Sequence, residues 1–238
     1  MPPATFIRQT LAFGVALIAA FANGQIVSWD FNTATGSEAS ANATTNNASL
    51  ATSTLSRGGG ISATALENSF NSTGFTNGAA SLSAAVSNND YITFSIAPQA
   101  GFQVSIATLD AVFRRTSTGP TSFQWQYSLD AFATAGTNIG DTISFTSTVT
   151  NGVAQTQISL SGVTQLQSIT GTAVFRLYAW GATGGNFALG RQSGNDLAIG
   201  GSISAVPEPS TYAALFGALA LSGVAWRRRR SRVFVARS

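Results

Sequence analysis

The chain is 238 residues long, with 12 basic side chains, all of them Arg, and 9 acidic ones; it contains no Lys, His or Cys. That composition excludes a Ser-His-Asp or Cys-His nucleophile, a P-loop or Schiff-base Lys, a zinc site of His and Cys, and any disulfide. Residues 25–205 hold five Arg against eight acids, a balance of −3. The basic excess therefore belongs to the tail, and the body offers no clustered cations for a nucleic acid.

The N-terminus carries one cation, Arg8, then the apolar run Leu11–Phe21, then the small-residue triplets Ala20-Phe21-Ala22 and Ala22-Asn23-Gly24. A basic start, a short apolar core and small residues before a cut make residues 1–24 a secretory signal peptide, helical and cleaved after Ala22 or after Gly24. The core is short for a bilayer span. No Cys follows it to take a lipid anchor, and no twin Arg precedes it, so the general secretion route is expected.

Residues 25–205 are long enough for one domain with a single core. About two-fifths of them are Ser, Thr, Asn or Gln. Residues 32–57, almost all small and polar, are expected to form either a mobile loop or a solvated strand region. Beyond them, large apolar residues recur at every second position. Ile92, Phe94 and Ile96 form one run; Leu109, Ala111 and Phe113 another; Phe123, Trp125, Tyr127 and Leu129 a third. Ile143 with Phe145 and Ile158 with Leu160 open two more, and Phe175, Leu177 and Ala179 line one face of 174–180. Period-two alternation means strands with one face buried. Turn signals at Asn88-Asn89-Asp90, Pro98–Gly101, Gly119-Pro120, Asn138–Asp141, Asn151-Gly152 and Gly184-Gly185-Asn186 separate them. No long helical pattern intervenes. The expected fold class is all-β, an antiparallel β-sandwich of the jelly-roll type.

Chemistry in this body is sparse. Glycoside hydrolysis needs two facing carboxyl groups, and the eight acids stand singly in turn-like contexts, so no catalytic residue is assigned. Calcium needs several oxygen ligands; Asp30, Asn88-Asn89-Asp90 and Asn195-Asp196 are the candidate donors, without the dense Asp-x-Asp spacing of a strong calcium loop. No cofactor is assigned. Trp125, Tyr127, Tyr178 and Trp180 alternate along strands and are candidates for a carbohydrate-binding platform, with Arg114, Arg115, Arg176 or Gln126 as polar partners. Core packing is the commoner fate of such aromatics. Arg115 and Arg176 are expected to pair with Asp110 or Asp130.

The C-terminal segment, 206–238, has three parts. Val206-Pro207-Glu208-Pro209-Ser210 is an extended, exposed segment, because each proline fixes φ, lacks an N–H and biases the preceding residue toward extended backbone. Residues 211–226 form an apolar stretch of about 24 Å as a helix, with Tyr212 and Trp226 at its ends as interfacial aromatics. Arg227, Arg228, Arg229 and Arg230 open the basic tail 227–238 and are expected to stay on the cytoplasmic side.

This Pro-Glu-Pro segment, short apolar helix and basic cluster resemble a PEP-CTERM sorting domain, found on exported proteins of Gram-negative bacteria that make exopolysaccharide. The resemblance implies recognition near Pro207-Glu208-Pro209 by exosortase, a membrane-embedded transpeptidase-like enzyme, with removal or exchange of the tail. In the body, Phe113-Arg114-Arg115, Ser117-Thr118-Gly119-Pro120, Tyr127–Phe132 and Phe175–Gly181 resemble a recurrent ectodomain of uncharacterised PEP-CTERM proteins. A sandwich fold is implied there, and no activity. The expected function is a non-enzymatic surface or extracellular-matrix protein. It is held transiently in the inner membrane, sorted by exosortase, and set against the exopolysaccharide layer at the cell surface. A carbohydrate-binding module and a glycan-acting enzyme are the alternatives.

Overall fold

The computed structural model describes residues 24–206 together with Gly217, Leu221 and Ser222, the last three in helical conformation. In chain order the strands are β1 (Gly24–Trp29), β2 (Ala41–Asn42), β3 (Thr45–Asn46), β4 (Thr54–Arg57), β5 (Ser62–Ala63) and β6 (Ser69–Thr73). Helix α1 (Leu82–Asn88) precedes β7 (Tyr91–Ile96), β8 (Phe102–Arg115), β9 (Ser122–Ser128), β10 (Thr137–Ser144), β11 (Val153–Ala154) and β12 (Ile158–Ser159). A single 3-10 turn (Thr164–Leu166) leads to β13 (Ala173–Trp180), β14 (Phe187–Gly190) and β15 (Leu197–Ala205).

These strands make two antiparallel sheets packed as a sandwich. The first runs β3-β1-β15-β8-β14-β6-β5, and the second β10-β9-β13-β7-β4-β2. The 14-residue β8 is the spine of the first sheet. Along one edge it pairs with β15 and then β14; along the other it takes β11 and β12. Among the described residues the fold is thus all-β and antiparallel. The jelly-roll form is a narrower reading than this strand order gives. The helices expected at the two ends fall on residues 1–23 and 207–238, outside the described residues except for the three helical positions above. Among the described residues no helix is long and apolar enough to cross a membrane.

The alternation read from sequence is what builds the core. Ile92, Phe94 and Ile96 of β7, Leu109, Ala111 and Phe113 of β8, Phe123, Trp125 and Tyr127 of β9, and Phe175, Leu177 and Ala179 of β13 are all buried between the sheets. Rings from both sheets meet there: Trp29 of β1 lies 5.1 Å from Phe94, and Phe187 of β14 lies 4.5 Å from Phe123. Leu129 departs from the pattern. It lies one residue past the end of β9 and is exposed.

Residues 32–57 fold onto the body instead of standing off from it. Here β3 pairs with β1, and β2 with β4. Asn46 supplies the side-chain order that small residues cannot: its amide donates to the carbonyls of Asn47, Leu50 and Ala51, and its Oδ1 accepts from Ser53 N–H. The short α1 starts where Ser81 caps Ala84 N–H and stops at Asn89, which adopts the left-handed conformation (φ 59°) that Asn tolerates.

Candidate functional site

The four aromatic candidates do not form a platform. Trp125 and Tyr127 point into the core with exposures of 1% and 4%. Tyr178 lies on the opposite side of its sheet but is only 1% exposed, and burial pushes its phenol pKa up. Trp180, at the end of β13, is half-buried. Stacking on a sugar needs an accessible ring face, so the expectation of a four-residue carbohydrate platform is corrected: the inward set follows the period of two, and Tyr178 is covered by its neighbours. Tyr91 packs edge-on to it at 5.3 Å.

The outer side of the second sheet instead centres on Arg176. Its guanidinium carbon lies 4.1 Å from the centre of the Tyr91 ring and 3.9 Å from that of Phe132, and Nη1 donates to the Tyr178 hydroxyl. Phe132 reaches this position from the 129–136 turn, which is unusual in holding two successive non-glycine residues, Ala131 and Phe132, at positive φ (56° and 62°). Hydrogen bonds hold the turn in that shape. Ser128 Oγ accepts from the N–H groups of Asp130 and Phe132 and donates to Asp130; the Asp130 carboxylate also accepts from Thr134 N–H and Oγ1. These bonds hold the Asp130 carboxyl below its ordinary pKa. Gly136 completes the fit, because a Cβ there would run into the Phe132 ring and the Gln126 amide.

The expected ion pairs are corrected as well. Arg115 donates to the carbonyls of Thr146, Ser117 and Gly119, not to a carboxylate. Asp110 accepts from the Gln157 amide. Gln126 donates to Asn138, and Gln124 to the carbonyls of Ile139 and Gly140, where the β9–β10 register shifts. These amides tie β9 to β10, the edge strand of the second sheet. Arg114, on β8, has a buried Nε without a partner; burial first and then nearby Arg191 lower its pKa.

Among the calcium candidates, Asp30 and Asn195 line an open recess of about 300 Å³ with Asn32, Thr33, Thr44 and Thr45. Asp196 lies just behind, 1% exposed, with Oδ2 accepting from Phe31 N–H and Oδ1 from Gln192 N–H. Burial drives its pKa up to about 6 against those two bonds, and the Asp30 charge adds to the rise. Asn88-Asn89-Asp90 belongs to the end of α1, where Asp90 accepts from Thr76 N–H. Among the described residues no cluster of three or more acids could hold a metal ion.

Sequence reasoning gave no place to the groove between β10 and the β11–β12 segment. Residues 140–144 form one wall and 155–159 the other, around about 490 Å³. Ser, Thr and Gln make up most of its lining residues, with Ile143, Ile158 and Asp141 among them. Lone Thr and Gln residues carry no sequence signal for such a groove.

The sorting segment continues directly from the fold. Ala205, the last residue of β15, pairs with Phe102, and Val206 N–H donates to the Gly101 carbonyl. Val206 is exposed. Pro207, Glu208, Pro209 and Ser210, and Arg227, Arg228, Arg229 and Arg230, lie outside the described residues. Residues 205–230 match the family model of the PEP-CTERM protein-sorting motif. No curated protein matches the chain. The motif implies an exported protein processed by exosortase at the cell envelope to a surface form.

Proposed function

We propose that the chain is a non-enzymatic surface or extracellular-matrix protein. Its β-sandwich reaches its place through the two terminal segments: 1–24 as a cleaved export signal, and 206–238 as a sorting signal held transiently in the inner membrane. The observation that carries this reading is the match of 205–230 to the sorting motif, beginning on the last residue of the final strand. The polar, weakly charged body suits a hydrated polysaccharide layer, where hydroxyl and amide groups exchange water for sugar hydroxyls at little cost.

Intact-mass analysis of the protein recovered from its native cells tests the reading. The wild type is expected to lack residues 1–22 or 1–24 and the Arg-rich tail, while Glu208→Ala keeps the tail. A mature wild-type mass that includes the whole tail would sink the sorting route and leave a single-pass anchor.

The second reading, carbohydrate binding, is favoured by the groove between 140–144 and 155–159, not by the buried aromatics. Its hydroxyls and amides are the groups that hold sugar hydroxyls, and its two Ile side chains suit the apolar face of a ring. Affinity electrophoresis in gels containing the host exopolysaccharide should retard the wild type, and Thr142→Ala/Gln155→Ala should run unretarded. Equal mobility of both with and without polysaccharide removes this reading.

A further inference from the structure

The end of β15 is held by β8 up to the last residue before the sorting segment. Among the described residues, β1 pairs with β15 from Leu197 to Gly201, where Gly24, the first of them, meets Gly201. Beyond that point Ser202, Ile203, Ser204 and Ala205 pair with Ser105, Val104, Gln103 and Phe102 of β8. Burial fades along the same residues: Gly201 is buried, Ser202 to Ser204 are half-buried, and Ala205 and Val206 are exposed. The Gln103 amide donating to Ser204 Oγ and Val206 N–H donating to the Gly101 carbonyl are the last ties before the motif.

Enzymes that process peptides grip an extended stretch through its backbone groups and need those groups free. An extended chain from Val206 reaches only about 10 Å by Pro209. An enzyme that takes several residues ahead of the Pro-Glu-Pro segment therefore meets the sheet itself. We propose that Ser204, Ala205 and Val206 must peel from Gln103, Phe102 and Gly101 before exosortase can process the motif, so that the terminal turn of the β8–β15 ladder gates sorting. This rests on the exosortase reading above. Fading burial at the end of the ladder places these residues among the parts of a fold that open locally without global unfolding. A folded domain with its ladder closed then waits at the membrane, and processing draws on the open fraction.

The chain has no cysteine of its own, which permits a clean lock. Gln103 and Ser204 are directly opposed and their side chains touch, a geometry that accepts a disulfide. The full-length double variant Gln103→Cys/Ser204→Cys is expressed in the native cells and followed by intact mass, with and without dithiothreitol. The cross-linked chain is expected to keep its tail, with processing slowed by about tenfold or more, and reduction should restore it. A second variant keeps the cross-link and inserts six Gly/Ser residues between Val206 and Pro207; it should be processed like the wild type. Loss of the tail from the cross-linked chain at the wild-type rate overturns the gate. So does failure of the inserted linker to rescue it. A wild type that keeps its tail overturns the sorting reading and the gate with it, whereas a processed wild type beside an unaffected cross-linked chain overturns the gate alone.

Discussion

The space between the two sheets and the outer side of the second sheet both use aromatic side chains of the same strands, and they use them differently. Inside, Phe94 and Phe175 stack 5.1 Å apart and Trp29 and Trp125 pack beside them, with no charged group among the ring contacts. Outside, Tyr91 and Phe132 are arranged around one cation, Arg176, and Phe132 depends on a turn with two left-handed residues. The inner set is a property of the pattern. The outer set is a property of individual contacts, and it fails one contact at a time.

The largest expected effect comes from the interior. Trp125→Ala removes a ring that is 1% exposed in the core and packs edge-on against Phe94. It should cost about 3–5 kcal/mol by the usual cost of large-to-small core changes, measured by urea unfolding of the purified protein. Trp125→Phe should cost far less than its lost volume implies. The indole Nε1 is buried without a partner, and an unmade hydrogen bond leaves with it. A Trp125→Ala loss below about 1 kcal/mol would mean that this region collapses around the gap and is not the rigid layer described.

Asp196 tests what the fold does with a charge at the edge of that interior. Its carboxyl titrates near 6 because burial outweighs its two backbone donors. The folded state therefore binds a proton that the unfolded chain, titrating near 3.9, has already released. Between those values stability falls as pH rises. The contribution is full below about pH 4 and lost above about pH 6, on the order of 2–3 kcal/mol. Melting temperatures from pH 3.5 to 7.5 should show that decline in the wild type and a flatter profile in Asp196→Asn. Parallel profiles would show that Asp196 is ionised throughout at no cost.

What the sequence disclosed follows the same division. Phe94, Phe113 and Phe175 were legible as core because period two is a physical requirement of a half-buried strand. The edge of each run was less so: Leu129 keeps the alternation but stands in the turn after β9, exposed. Nothing local says that Arg176 will sit among rings instead of meeting Asp110 or Asp130. That outcome depends on Phe132, 44 positions away, and on a turn whose φ values break the preference of Ala and Phe. Tyr178 was legible as outward-facing, but not as covered. The sorting segment was the most legible part of the chain, because its three parts are contiguous; its continuity with the β8–β15 ladder was not, since pairing to Phe102 spans a hundred residues.

Replacing Arg176 is the next test in size. Arg176→Ala removes a cation packed on two rings and should cost about 1–2 kcal/mol, within the range of partly desolvated cation–π contacts. Arg176→Lys should recover little of it, because an ammonium lacks the planar faces that lie on Tyr91 and Phe132. Urea midpoints of the three proteins decide this. Full recovery by Lys would reduce the outer arrangement to charge alone and erase its contrast with a specific packing.

The smallest effect carries the opposite sign. Ala131 holds φ 56°, a conformation that costs an L-residue about 1 kcal/mol and costs glycine nothing. Ala131→Gly should relieve that strain and give back part of the gain through the greater freedom of glycine when unfolded. The net is a stabilisation of about 0.5 kcal/mol. If the turn is held in this shape by Phe132 resting on Arg176, the gain should change when Arg176 is also removed, and a double-mutant cycle measures the change. Additive effects would mean that Ser128 and Asp130 shape the turn on their own, with Phe132 a passenger. Coupled effects would mean that the ring contact holds the strained residues in place, and that the outer side of the sheet is built from its cation outward.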